Sequence, residues 1–557
     1  MLTLRHKYLT IQHDTHPDDV VSFLLQIRDK DEDFLTHEIL HDPMLMPDME
    51  RAVVRILQAQ QKNEKVIIFG DYDVDGVSST AALFLFLRDE LGMQVSYRLP
   101  HRVHDGYGIK KYHMDDIAKT GTKLVITVDC GTKDIEPVEY AKTLGLDVIV
   151  TDHHSCPDTL PDCIAVVNPR CRDSKYPFPS LSGSGVVWKL MHAILLIKDN
   201  AIIRGQDITP ETSGLSDYRI IGSILGKYVD IVSLGTVADC MPMIDENRTI
   251  VRRGLLQARN SHHPFFQTFL GALNRPISTE EDIAFFVGPM LNAGGRITTP
   301  YQSLTTLLSG ALDSYTKIQE LMQVNELRKG KSKDSYEKAL AQVDSSQPFL
   351  VFIDPALEHG ILGLVAARLT EQFHKPSAVF TLHDGQYVGS LRAPAGIDLV
   401  KILDKSSDYL ARYGGHAGAA GCTITETDMP YAEKSFQSAM QELYADHDAT
   451  PVLTVDTVLD PQKITLDLVQ SIETLRPFGI GFPAPLFMLR DIDAPIVALG
   501  QTGEHIAWDY PGLKIVAFRF GEFRPELEGR KVSLIGTLKI HTWRDTVTPQ
   551  FQVVDIV

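Results

Sequence analysis

The sequence predicts an α/β protein: a parallel-sheet domain, then a smaller α/β domain reached through a long helix, then a β-rich C-terminal domain. Three observations carry this. Short apolar runs rich in β-branched residues alternate with helical stretches between Lys65 and Asp152. A long polar helical segment, Leu312 to Val343, separates that block from a second alternating unit, and from about Pro451 only short β-type runs remain. Alternation of this kind means a parallel sheet covered on both faces, and 557 residues are too many for one hydrophobic core.

Residues 1–45 form a polar, helix-leaning lead-in. "MERAVVRILQAQQKNE" (Met49 to Glu64) reads as an amphipathic helix feeding the first strand. "KVIIF", "QVSYRL", "KLVITVD" and "DVIVTD" read as strands, with "VSSTAALFLFLRDEL" and "IEPVEYAKTLG" as helices between them. A further apolar run, "YVDIVSLGTVADCMPM", is expected to deliver Asp239 at the same end of the sheet. These elements make a first domain over 46–311, and 312–345 a linker helix. In the second unit, 346–448, "PFLVFID" is a strand, "GILGLVAARLTEQFH" a helix, and "SAVFTLHDGQYVGSLR" a hairpin around Asp384-Gly385. The runs in 449–557 suggest a small closed β-barrel of the OB type.

Hydrophobic and charged contents of 44% and 23% are those of an ordinary globular protein. No apolar stretch approaches the roughly 20 residues that span a bilayer, and "MLTLRHKYLTIQHD" lacks the layout of a secretory signal. Cys130, Cys156, Cys163, Cys171, Cys240 and Cys422 show no zinc-site spacing and are expected to be reduced thiols of a cytoplasmic protein. The net charge of −18 does not exclude a nucleic-acid partner. A groove can be basic on an acidic molecule, and carboxylates that hold metals count in the formal total.

The chemistry starts at "IFGDYDVDGVSS", where Asp71, Asp73 and Asp75 crowd the junction of a strand and a helix. One carboxylate is favoured at a helix N-terminus; three repel one another unless a cation lies between them. Asp129 ends the next strand and Asp152-His153-His154 the third. Ligand sites of parallel sheets lie at those carboxyl ends. Oxygen ligands with one imidazole suit Mn²⁺ or Mg²⁺ better than zinc, and two such ions about 3.5–4 Å apart stabilise an in-line displacement at phosphorus. The plainer alternative makes Asp73 and Asp75 helix caps, Asp129 a loop residue and the two histidines a surface pair.

"DYDVDG", "VDCGT", "TDHH" and "GTVADCMP" resemble, in order, the four motifs of the DHH phosphoesterase superfamily, and "GGHAGAAG" resembles the glycine-rich motif of its companion DHHA1 domain. "HRVHDGYG", "GPMLNAGGR" and the C-terminal barrel narrow the resemblance to the RecJ family of single-strand-specific 5′→3′ DNA exonucleases. The resemblance implies two ions, Mn²⁺ or Mg²⁺. Asp129 would bridge both, Asp73 would hold one, and Asp75, His153 and Asp239 the other. His154 would face the scissile phosphate, and Asp152 would orient the histidine ligand rather than bind metal. The superfamily often carries a histidine where this chain has Phe69, and Asp71 is the substitute expected at the first ion.

For the substrate, the resemblance suggests a 5′-phosphate pocket at Ser390 and Arg392, with Arg102 and Arg296 as further phosphate contacts. Gly414 and Gly415 would let the backbone approach a ligand closely, and His416 would donate to a phosphate. In the barrel, Phe518, Phe520, Phe523, Trp543, Lys539, His541 and Arg544 suit single-strand stacking, although the core is the stronger claim on Phe518 and Phe520. The expected activity is removal of mononucleotides from the 5′ end of single-stranded DNA, in repair and recombination. A helicase and a single-strand-binding protein are the partners it suggests, and a monomer with no membrane contact is the expected state. The competing readings are a phosphoesterase of pyrophosphate, short oligonucleotides or cyclic dinucleotides, and a binding scaffold that has lost its acidic ligands.

Overall fold

Apolar residues on both sides of each central strand are what place the functional end of this molecule. The computed structural model describes residues 3–5, 7–204, 218–273, 275–448, 450–544 and 546–557. Helix α1 (Met49–Gln61) precedes β1 (Val66–Gly70), followed by α2 (Val74–Asp89), β2 (Val95–Arg98), α3 (Lys111–Lys119), β3 (Leu124–Val128), α4 (Ile135–Thr143), β4 (Asp147–Thr151) and β5 (Ala165–Val167). The five strands pair in parallel in the order β2-β1-β3-β4-β5. Val66 and Ile68 of β1 enter one core with Val77, Ala81 and Phe86 of α2. Ile67 and Phe69 enter another with Met114 and Ile117 of α3 and Val138 of α4. A strand buried on both faces reads as a continuous apolar run, which is why the pattern was legible.

Helix α5 (Gly183–Arg204) and α6 (Val229–Ala238) follow. The run expected to act as a strand before Asp239 is α6, fully buried over Val229–Val237, and Asp239 is its C-cap. An apolar run of this length does not distinguish a buried helix from a buried strand. Helix α7 (Gly288–Ile297) leads toward α8 (Ser314–Gln342), the long helix the sequence predicts.

The second sheet holds β6 (Leu350–Ile353), β7 (Ser377–His383), β8 (Gln386–Arg392), β9 (Arg412–His416) and β10 (Ala419–Thr425), in the order β9-β10-β8-β7-β6. The β7–β8 turn is Asp384-Gly385, both at positive φ (48° and 73°), the backbone a two-residue hairpin demands.

The chain divides into two compact units. The sheets above lie in one, Glu38–Ala393 with Ile397–Tyr444; the other is Met1–His37, Pro394–Gly396 and Ala445–Val557. In the latter, Tyr8–Ile11 pairs in parallel with Val452–Val455. Seven strands follow in the spatial order Thr457–Leu459, Phe487–Ile492, Val532–Trp543, Thr546–Ile556, Leu513–Ala517, His505–Tyr510 and Ile496–Leu499. Among the described residues no pairing between the first and last of these closes the ring. Phe520 is fully buried, whereas Phe518 is exposed; the Trp543 side chain lies outside the described residues.

The expectation of six reduced thiols needs one correction. Cys156 and Cys171 form a disulfide, because the loops that follow β4 and β5 lie side by side. Cys130, Cys163, Cys240 and Cys422 are free. Among the described residues no helix is long and apolar enough to cross a membrane.

Candidate metal centre

Each acidic side chain of the site is held by the element that ends or begins beside it. Asp71 directly follows β1 and is buried. Asp73 caps α2, its Oδ1 accepting from the N–H groups of Asp75 and Gly76 (3.0 and 3.1 Å). Capping therefore holds for Asp73, and it is compatible with ligation because a carboxylate has further lone pairs. Asp75 lies in the first turn of α2, where its two oxygens accept from Gly183 N–H (2.6 Å) and Ser184 N–H (2.9 Å) at the start of α5. Asp129 follows β3 with φ at 62°, its N–H bonded to the Thr151 carbonyl (3.0 Å).

These groups converge. His153 Nε2 lies 3.1 Å from Asp129 Oδ1, 3.6 Å from Asp239 Oδ2 and 3.9 Å from Asp75 Oδ2. Three sets bring one ligand atom per residue within 4.8 Å of one another: Asp71, Asp73 and Asp129; Asp75, His153 and Asp239; Asp129, His153 and His154. Asp129 is common to the first and third, and His153 to the second and third. Phe69, at the position where the superfamily carries a histidine, is fully buried in the sheet's core, and Asp71 stands at the centre in its stead.

Burial dominates the electrostatics. It raises Asp71 to about 8 with help from Asp73, Asp75 to about 6 with help from Asp73, and Asp239 to about 8 with help from Asp75. Asp129 is raised well above the carboxylate range by burial and then by Asp75. His153 is pushed down to about 3 by burial and by neighbouring His154, so it is a neutral imidazole. Asp71 Oδ1, Asp129 Oδ1 and His153 Nε2 are buried without a hydrogen-bond partner. Orphaned acceptors among mutually repelling carboxylates fit divalent cations, and the oxygen-rich donor set fits Mn²⁺ or Mg²⁺.

Asp152 behaves differently. Its Oδ1 accepts from His153 N–H (2.7 Å), His154 N–H (3.1 Å) and His154 Nδ1 (2.8 Å), and its Oδ2 from Thr132 N–H (3.0 Å). Burial raises it, but these donors and the two histidines outweigh burial and hold it well below the carboxylate range. It orients the ring of His154; His153 it touches through the main chain.

The predicted phosphate contacts form a second charge cluster. Arg392 Nη1 donates to Ser390 Oγ (3.1 Å) and the Leu391 carbonyl (2.7 Å). Arg296 Nη1 donates to the Gly360 carbonyl (3.1 Å), and Arg102 lies 4.0 Å over the Tyr72 ring. Burial, then Arg102, Arg328 and Arg392, lower Arg296 to about 9. Arg392 is lowered by burial and by Arg102. Arg296 and Arg392, each lowered by burial and by a neighbouring guanidinium, gain from an anion. Gly414, Gly415 and His416 lie on the exposed strand β9. Gly415, at φ 147°, would put a Cβ 2.5 Å from the Ala419 carbonyl, so packing alone requires glycine there. His416 is lowered by burial, then by Lys133, His154 and Arg170, which brings this strand's charge environment to the histidine of the acidic cluster.

Sequence reasoning missed Gly183 and Ser184, although "SGSG" before an apolar run is a helix-start signal. It also missed Arg328, one polar residue among many on α8, and Tyr107, which donates to the Asp129 carbonyl (3.3 Å) beside His154.

Family models match three segments: the DHH family N-terminal domain at 65–215, the DHHA1 domain at 346–445 and the RecJ OB domain at 455–555. Among curated proteins, the single-stranded-DNA-specific exonuclease RecJ of Bacillus subtilis is 30% identical over 554 residues, 97% of this chain and 66% of its own length. The protein of that name from Salmonella typhimurium is 31% identical over 456 residues, 79% of this chain and 77% of its own. A crystal structure of RecJ with Mn²⁺ from Thermus thermophilus shares the fold at TM-score 0.82 and 24% identity, covering 99% of this chain and 79% of that one. A structure of exonuclease RecJ bound to manganese matches at TM-score 0.59 and 27% identity, covering 73% of this chain and 96% of that one. With three domain models in order and curated relatives matched over most of their length, the chain belongs to the RecJ family.

Proposed function

We propose that this chain is a divalent-metal-dependent exonuclease that removes nucleotides from the 5′ end of single-stranded DNA. The observation that carries it is the pair of ligand sets linked through Asp129 and His153, with buried arginines alongside. Asp71, Asp73 and Asp129 would hold one ion; Asp75, His153 and Asp239, with Asp129 shared, would hold the other. Divalent ions bound there supply Lewis-acid stabilisation of the charge that develops on the phosphoryl oxygens.

The chain's own residues do the rest. Arg392, Ser390, Arg296 and Arg102 bind the 5′-terminal phosphate and set which bond reaches the carboxylates. His154, held by Asp152, donates to the scissile phosphate. The division 46–311 for catalysis, 346–448 for the 5′ end and 449–557 for further single-strand contact, with 312–345 as linker and 1–45 as lead-in, follows from these roles. A cytoplasmic monomer working with a helicase and a single-strand-binding protein is the finer proposal.

The test is metal-dependent digestion of single strands blocked at either end. A 3′ block should be tolerated and a 5′ block should stop release. Asp129→Ala should abolish cleavage and leave oligonucleotide binding largely in place. Digestion that proceeds from a blocked 5′ end, or turnover by Asp129→Ala, removes the reading. Exclusive action on dinucleotides would instead favour a small-substrate phosphoesterase.

A further inference from the structure

The loop "HDGYGIK" delivers one side chain into the centre that the ligand chemistry does not use. Gly106 and Gly108 flank Tyr107 at positive φ (70° and 81°). A Cβ on Gly108 would lie 2.5 Å from Asp134 Oδ1, the carboxylate whose Oδ2 accepts from Ile109 N–H (2.9 Å). Lys110 Nζ donates to the Tyr107 carbonyl (2.8 Å). The backbone of Tyr107 is thus fixed from both sides, yet the residue is 41% exposed, so the ring is not there to fill a core.

The hydroxyl makes two contacts. It donates to the main-chain carbonyl of Asp129 (3.3 Å) and lies 3.2 Å from His154 Nδ1, with the rings edge to face at 5.5 Å. His154 Nδ1 also lies 2.8 Å from Asp152 Oδ1. A carboxylate has no proton to give, so the Nδ1 hydrogen belongs to the imidazole and points at Asp152. The phenol shares that one hydrogen as the more distant of its two acceptors, 3.2 Å against 2.8 Å, while donating to the Asp129 carbonyl. With Nδ1 engaged in this way, Nε2 is the ring nitrogen left to a substrate.

We propose that Tyr107 is a positioning residue: its hydroxyl braces the His154 ring against the Asp129 main chain and so fixes the imidazole's aim. The inference rests on the nuclease reading for its kinetic consequence, but not for its structural one. A side chain released from such a brace loses orientation, and misplacement on the scale of 1 Å costs on the order of a hundredfold in rate.

The experiment uses full-length Tyr107→Phe, which keeps the ring and removes the hydroxyl. With a 5′-phosphorylated single strand and Mn²⁺, kcat should fall roughly ten- to a hundredfold with KM and oligonucleotide affinity in chelator unchanged. In the His154→Ala background the same change should cost nothing further, because residues that act as a unit are not additive. In the metal-free protein, ¹⁵N spectra of labelled histidine should show His154 protonated at Nδ1, with that signature broadened in Tyr107→Phe. Full additivity with His154→Ala, or a rise in KM without loss of kcat, overturns the proposal and makes Tyr107 a substrate contact. Should wild type show no metal-dependent turnover, the nuclease reading fails, and the ¹⁵N spectra still decide the brace.

Discussion

The carboxylate of Asp75 accepts the main-chain N–H of Gly183 at 2.6 Å, so the helix that follows β1 is tied to the first turn of a helix more than a hundred residues further along the chain. Gly183 also sits against Asp129 of the same cluster. A Cβ there would lie 2.7 Å from Asp129 Cβ, and one on Gly235 would lie 2.3 Å from Asp75 Oδ1. Alanine at Gly235, inside α6, would gain about 1 kcal/mol of intrinsic helix propensity, but it meets a backbone-anchored carboxylate that cannot turn away. The clash should win. Gly183→Ala and Gly235→Ala are each expected to weaken Mn²⁺ binding at least tenfold by calorimetry while the far-ultraviolet circular dichroism stays native. Unchanged affinity in both would show that the carboxylates are not held as described.

The raised carboxyls make metal-free stability fall with pH. Asp75, Asp71 and Asp239, at about 6, 8 and 8 in the folded protein, stand above the unfolded value near 3.9. A group raised on folding contributes stability that is complete below its unfolded pKa and is lost as pH rises through its folded one. Asp152 works in the opposite sense, contributing above the unfolded pKa and losing it in acid. In chelator, the melting temperature should therefore decline between about pH 5 and 8. Saturating Mn²⁺ should remove that decline, because ions bind the deprotonated ligands. A flat profile in chelator would contradict the crowding of charge.

Much of this was legible because it rests on local rules. Strands buried on both faces write themselves as apolar runs, and Asp384-Gly385 encodes its own hairpin. The candidate ligands Asp73, Asp75, Asp129 and His153 follow strands and could be placed by topology alone. The fold of the run before Asp239 could not, since nothing local separates a buried helix from a buried strand. Gly183, Tyr107 and Arg328 escaped for another reason: each matters through a partner distant in sequence, and distance in sequence leaves no periodic trace. The pairing of Cys156 with Cys171 is of the same kind.

The arginine cluster predicts a preference at the 5′ end. Arg392 is anchored to Ser390 and is lowered by burial and by the Arg102 charge, so an incoming dianion relieves a repulsion as well as forming bonds. Arg392→Ala should weaken binding of a 5′-phosphorylated strand by about 2 kcal/mol, a charge-assisted hydrogen bond's worth, and leave a 5′-hydroxyl strand nearly unaffected. The salt dependence of binding should flatten by roughly one phosphate contact, about 0.7 in the logarithmic slope. Arg392→Lys should recover only part of the loss, because a point charge does not reproduce the guanidinium fork. Equal losses on both strands would place the 5′ phosphate elsewhere.

Asp152→Asn tests whether His154 works as a cation. Every hydrogen bond of the Asp152 carboxylate is an accepted one, three at Oδ1 and one at Oδ2. An asparagine must turn its NH₂ toward one of these sets. Facing Thr132 N–H is the lesser conflict, and it should destabilise the protein by about 1–3 kcal/mol, the cost of an unsatisfied buried donor. The electrostatic effect is separate. Burial lowers His154, and Asp152 is the largest influence raising it to its net upward shift. Without that charge, burial prevails and His154 loses its proton at lower pH. If the protonated ring donates to the phosphate, the alkaline limb of the kcat profile should move toward acid in Asp152→Asn, while Mn²⁺ affinity at a fixed pH stays close to that of wild type. An alkaline limb that stays in place would show that the imidazole's charge takes no part in turnover.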